Sequence, residues 1–412
     1  MGRLYFFCSF RQQTNPFNSP MSTGITITLC ILMLMAYVFD ITSSKKKIPA
    51  VILLLALGYI VKVASLLLHL SIPDLSPILP VLGTVGLILI VLEGALELQL
   101  DRSKLPFIRK SMLVALLPML AISFSLAWAF WYFGDTSFKN ALSCAIPFAV
   151  ISSSIAIPSA RNLSKGDRSF VTYESSFSDI FGVLFFNFVT ENDHIGTGTW
   201  WHFGGQIVLM LVISFVATLA LAYFLNSIKH HIKFAPIILI VVLIYFLSKI
   251  YHLPALLFIL LFGLFLENID ELRHYKFIRR FNPLSFSKEV AKFRELTGEF
   301  AFLVRASFFI LFGFLLEREE ILNPSSMVWA VAITAGIFIF RALFLRLFRL
   351  PLNPLLYLAP RGLITILLYL SVPVSKQTDL ASKSLLIQVI VLSALVMMLG
   401  LMKARSPEDP ET

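Results

Sequence analysis

Charge is scarce in this chain. Of its 412 residues only 14% are Asp, Glu, Lys or Arg, against 58% hydrophobic. Soluble domains carry about 25% charged residues, so a water-exposed fold is excluded and the mean hydropathy of +0.84 points into a bilayer. Cysteine is nearly absent: Cys8 lies in the N-terminal segment and Cys30 and Cys144 in apolar runs, which offers neither a disulfide framework nor zinc spacing. No H-E-x-x-H helix and no G-x-S-x-G elbow occur, which removes two common signatures of a hydrolase and argues against an enzyme. No filter-like repeat such as T-V-G-Y-G is present, which argues against a channel. The formal charge of +10 does not imply nucleic acid, because in a membrane protein the placement of Lys and Arg matters more than their sum. No cofactor motif is found.

What the chain does have is apolar runs of spanning length, each needing roughly 20 residues to cross about 30 Å of hydrocarbon. They lie at about 22–40, 48–69, 78–97, 109–133, 139–161, 170–190, 203–225, 235–251, 253–268, 297–317, 326–349, 352–373 and 383–402. Thirteen spans over residues 22–402 leave no room for an appended soluble domain. Loops 1, 3, 5, 7, 9 and 11 and the tail hold 23 Lys/Arg, and the other side holds 6. By the positive-inside rule the N-terminus is outside and the C-terminus cytoplasmic. Residues 1–21 form a short extracytoplasmic segment without a signal-peptide pattern, with Met21 as an alternative start. Residues 403–412 are a cytoplasmic tail. The ninth loop, 269–296, mixes seven Lys/Arg with Phe277, Phe281, Phe286 and Phe293 and reads as an amphipathic linker on the headgroups.

Thirteen is six plus one plus six, the count expected of two inverted-topology repeats. Helix breakers support that division. Span 5 carries Pro147 and Pro158 around Ser152, Ser153 and Ser154, and span 12, seven later, carries Pro360, Arg361 and Gly362. Broken helices at corresponding positions point to a substrate site near the midplane, where freed carbonyls and half-helix ends meet an ion.

Five Lys/Arg remain inside the spans: Lys62, Lys249, Arg305, Arg341 and Arg361. Lys62 and Lys249 are within snorkelling reach of helix ends. Glu174 and Asp179 fall in the middle of span 6, where an unpaired charge costs roughly 2.5–3.5 kcal/mol on insertion scales. At about 100° per residue, Asp179 is turned about 140° from Glu174, so the two carboxylates address different neighbours. One is expected to be neutralised by a buried Arg, and the other to face a water-filled cavity. Desolvation strengthens a carboxylate's hold on its proton, so a proton and a metal cation compete there.

The run Glu174-Ser-Ser-Phe-Ser178-Asp179 resembles the E-x-x-x-N-D signature of NhaP-type sodium/proton exchangers of the monovalent cation/proton antiporter superfamily. Ser152-Ser153-Ser154-Ile-Ala-Ile takes the place of that family's T-D-P-V-A-V, Phe340-Arg341-Ala342 resembles its basic position on span 11, and Pro360-Arg361-Gly362-Leu363 its R-G stretch on span 12. The resemblance implies an all-α membrane fold and exchange of Na+ or K+ for protons by alternating access. It implies Asp179 as the shared ion and proton carboxylate, with Ser178, Ser152 and Ser153 beside it, and a structural Glu174–Arg341 pair. Arg361 and Arg305 are further charge partners in the core. It also implies a homodimer in a bacterial inner membrane, with spans 1–3 and 8–10 (about 22–97 and 235–317) at the interface and spans 4–6 and 11–13 (about 109–190 and 326–402) moving as the core. Ser178 replaces the family's Asn and Ser153 its Asp. A site with one carboxylate fits exchange of one cation per proton, and its ion identity stays open between sodium and potassium. Transport of another small solute, a transport-dead sensor and an ion channel are the alternatives.

Overall fold

The computed structural model describes residues 20–46, 49–69, 72, 74–98, 105–192, 197–227, 234–251, 253, 255–268 and 283–403. The N-terminal segment before Pro20, the first half of the ninth loop and the tail beyond Lys403 lie outside the described residues. Every regular element among the described residues is helical: α1 (Pro20–Lys46), α2 (Ala50–Leu67), α3 (Ile78–Glu97), α4 (Leu105–Phe133), α5 (Phe138–Ala149), α6 (Ser153–Ser159), α7 (Lys165–Glu191), α8 (Thr197–Ser227), α9 (Phe234–Ile250), α10 (Ala255–Glu267), α11 (Pro283–Phe314), α12 (Arg318–Leu322), α13 (Pro324–Leu347), α14 (Leu363–Ser371) and α15 (Lys383–Lys403). Helix occurs within each of the thirteen apolar runs. Eight helical stretches among the described residues are long and apolar enough to cross a bilayer, one of them α5 and α6 taken together. The apolar part of α1, and α9 and α10, are shorter. α7 falls outside the eight because it carries Glu174 and Asp179.

Helix ends follow local chemistry. Ser164 starts α7, its hydroxyl accepting the Asp167 N–H at 3.1 Å and donating to the Asp167 carboxylate at 2.7 Å, a capping arrangement. Asn323 starts α13 by accepting the Ser325 N–H, with Pro324 in the first turn, where its missing donor costs nothing. The expected linker over 269–296 is only partly separate from its span. From Pro283 the chain is one helix of 32 residues to Phe314, because no proline follows until Pro324. Arg294, on that helix, pairs with Glu267 at the end of α10 at 3.0 Å.

The helices pack in two groups. α2 and α3 lie on α11, and α10 on α3 and α8; α4 lies on α5, α7 and α13, and α13 on α15. Glycine permits a close crossing of α2 and α11: a Cβ on Gly58 would run into the Ile310 carbonyl, and one on Gly313 into that of Leu55. Small residues let backbones approach where the hydrophobic effect cannot drive helices together. Lys62 does not simply snorkel. Its Nζ donates to the Leu316 carbonyl at 2.7 Å, capping the C-terminal end of α11, where a cation is favoured.

Candidate ion-binding site

The two interruptions face each other. Between α5 and α6 the backbone is extended at Val150 and Ser152, where β-branched Val150 and Ile151 meet three serines whose hydroxyls compete for backbone groups. A second interruption does the same: after a short 3-10 turn at Leu355–Tyr357 the chain runs five residues without helix until Leu363, and Pro360 offers no N–H to a ladder.

In hydrocarbon each freed backbone group needs a partner, and several of those at the crossing have one. The Ser152 N–H donates to the Pro360 carbonyl at 2.9 Å, and the Ile151 N–H to Ser178 Oγ at 2.9 Å. The Arg361 guanidinium donates to the carbonyls of Phe148 at 2.6 Å, Ala359 at 2.7 Å and Ala149 at 3.2 Å. The Arg361 N–H goes to Ser393 Oγ at 3.0 Å and the Gly362 N–H to Thr365 Oγ1 at 3.2 Å. Arg361, 1% exposed, thus spends two of its three carbonyl bonds at the C-terminal end of α5, where its charge also opposes the negative end of that half-helix.

On α7, Glu174 is held bidentately by Arg341 at 2.7 and 2.9 Å, both side chains buried. Arg341 also donates to the Leu355 carbonyl at 2.8 Å, which fixes the pair against the broken stretch. Asp179, 2% exposed, points elsewhere, as its 140° offset requires. Its Oδ2 accepts a hydrogen bond from the Ser153 hydroxyl, and its Oδ1 has no hydrogen-bond partner among the described residues. Ser152 and Ser154 share a hydrogen bond at 2.8 Å.

Of the residues singled out in the sequence, Asp179, Ser178, Ser152, Ser153 and Arg361 therefore meet at one crossing, with Glu174 and Arg341 alongside. Ser178 is turned towards the main chain of the break. Arg305, read from the sequence as a charge partner in the core, lies 3.9 Å from Glu93 of α3 and not against the central acids, because α11 packs on α2 and α3 rather than on α7. Ser393 and Thr365 were not anticipated; a single hydroxyl in an apolar helix carries no signal until its partner is known.

The sodium/hydrogen exchanger transmembrane family model matches residues 29–404. No curated protein matches the chain in sequence. Two solved structures of the sodium proton antiporter MjNhaP1 from Methanocaldococcus jannaschii are similar in fold. One, at pH 8, has a TM-score of 0.67 at 16% identity, over 93% of this chain and 99% of that one. The other, an electron microscopy structure, has a TM-score of 0.68 at 17% identity, over 95% and 99%. The chain belongs to the transmembrane sodium/hydrogen exchanger family, multi-pass membrane proteins that exchange a monovalent cation for protons.

Proposed function

We propose that this protein exchanges Na+ or K+ for protons by alternating access, and that Asp179 is the carboxylate for which cation and proton compete. One observation carries the reading: Asp179 is buried, and among the described residues no cationic side chain pairs with it. Arg341 is taken up by Glu174, and Arg361 by main-chain carbonyls. An ionised carboxylate left alone in a medium of low dielectric is costly, so a proton or a transported cation occupies it in each stable state. If only the neutralised site reorients, one cation moves for one proton. The free Oδ1 and the hydroxyls of Ser152 and Ser153 are oxygen ligands of the kind hard cations take. Ser178 serves the site by clamping the Ile151 N–H. The core, about 109–190 and 326–402, moves against a dimer-forming scaffold, about 22–97 and 235–317, with the N-terminus outside a bacterial inner membrane.

The test is proton flux in vesicles holding the purified protein and an internal pH dye, pulsed with Na+, K+ or Li+. We expect cation-evoked alkalinisation in the wild type and none in a folded Asp179→Asn variant. Exchange that persists in the variant would reject Asp179 as carrier. A folded wild type that moves protons for none of the three cations would reject exchange of these ions.

A further inference from the structure

A cavity enters between α1, α2, α6 and α11, lined among others by Asp40, Leu54, Ser154, Ser159 and Arg305. Its inner wall includes Ser154, which is bonded to Ser152 of the crossing. At its rim Arg161, in the turn after α6, meets Asp40 of α1 at 3.2 Å. Glu93 lies within electrostatic reach of both, as well as of Arg305 and Glu97. The Glu93–Arg305 contact joins α3 to α11, two helices of one packing group. The Arg161–Asp40 pair differs, because it joins α1 to the segment linking α6 and α7, the elements that carry Ser153 and Asp179.

An ion pair with side chains 44% and 20% exposed adds little to overall stability, and its partners are 121 residues apart. We propose that Asp40–Arg161 is a latch between the fixed and the moving parts of the transporter. It is closed in the conformation described here and broken when α6 moves away from α1, and it biases the protein towards the state in which the cavity reaches Ser154. The inference rests on the alternating-access reading above. A displacement of a few ångströms opens such a pair, so its contribution acts on the balance between the two states and leaves the fold itself alone.

The test uses full-length protein in vesicles, with Cys8, Cys30 and Cys144 replaced and Ser159→Cys as the only thiol, labelled by a membrane-impermeant maleimide from the cavity side. Losing an exposed pair shifts a two-state balance by about two- to fivefold. Asp40→Asn and Arg161→Gln are therefore expected to slow labelling, by up to that factor, and Arg161→Lys and the swap Asp40→Arg with Arg161→Asp to label close to wild type. Single variants that label at the wild-type rate overturn the latch. So does a swap no faster than the slower single variant. Proton flux on the same vesicles separates the two ideas: its absence in wild type removes the transport reading, whereas labelling reports the latch alone.

Discussion

The Ser152 N–H and the Pro360 carbonyl meet at 2.9 Å, main chain to main chain, across 208 positions of sequence. Two unwound segments are thereby held as one crossing, and Arg361 locks it by donating to both: to Phe148 and Ala149 on one, and to Ala359 on the other. The carboxylate of Asp179 is bound to this crossing through Ser153, so any change in the crossing is felt at the proposed carrier.

Arg361→Lys keeps the charge but not the planar fork that reaches three carbonyls. Each buried acceptor left unpaired costs about 1–3 kcal/mol. We expect an inserted protein with a lower unfolding temperature in detergent and little exchange. A variant with wild-type stability and flux would show that the three carbonyl bonds do not hold the site.

The Glu174–Arg341 pair is predicted to behave as a unit. Removing one partner of a buried pair costs about 3–5 kcal/mol, whereas replacing both is far milder. Arg341→Gln should therefore destabilise strongly, and Glu174→Gln combined with Arg341→Gln should recover part of the loss. A double-mutant cycle on thermal unfolding measures the coupling; additive losses would contradict it.

Gly362→Ala tests the closeness of the crossing. An added Cβ would lie 2.5 Å from Ile155 Cδ1 and 2.9 Å from Ser152 Oγ. The segments must then separate, and exchange should fall about tenfold or more, the scale on which a misplacement of about 1 Å acts. Ile155→Val removes the nearer atom and should restore part of the flux in the double variant.

Ser178 separates a clamp from a ligand. Ser178→Ala leaves the Ile151 N–H buried without an acceptor, at about 1–3 kcal/mol, so stability and maximal flux should both drop. Ser178→Asn supplies a new acceptor and should recover both. Unchanged preference between Na+ and K+ across the series is the expected signature; a changed preference would make Ser178 a ligand instead.

Much of this architecture is legible in the residues alone. Hydrocarbon imposes a run length, so the apolar stretches are visible where helices form. Prolines amid serines mark the α5–α6 break, and a five-residue offset on α7 is enough to send Glu174 and Asp179 to different neighbours. The start of α11 is less visible: Lys292 and Arg294 look like a loop, yet nothing between Pro283 and Phe314 interrupts a helix. Arg305 shows the limit of charge counting, because three central arginines invite pairing with two central acids, and only helix packing sends this one to Glu93.

The sequence by itself determined a multi-span helical membrane protein, the two places where helices break, and the family, since periodicity, run length and short motifs are local properties of the chain. Only the tertiary structure decided how the charges are spent. Arg361 is bound to carbonyls that every residue possesses, Ser393 and Ser178 receive N–H groups of distant segments, and Asp40 finds Arg161 beside the cavity. These partners carry no local pattern, because a hydrogen bond or an ion pair depends on distances of about 3 Å that exist only once the helices have packed.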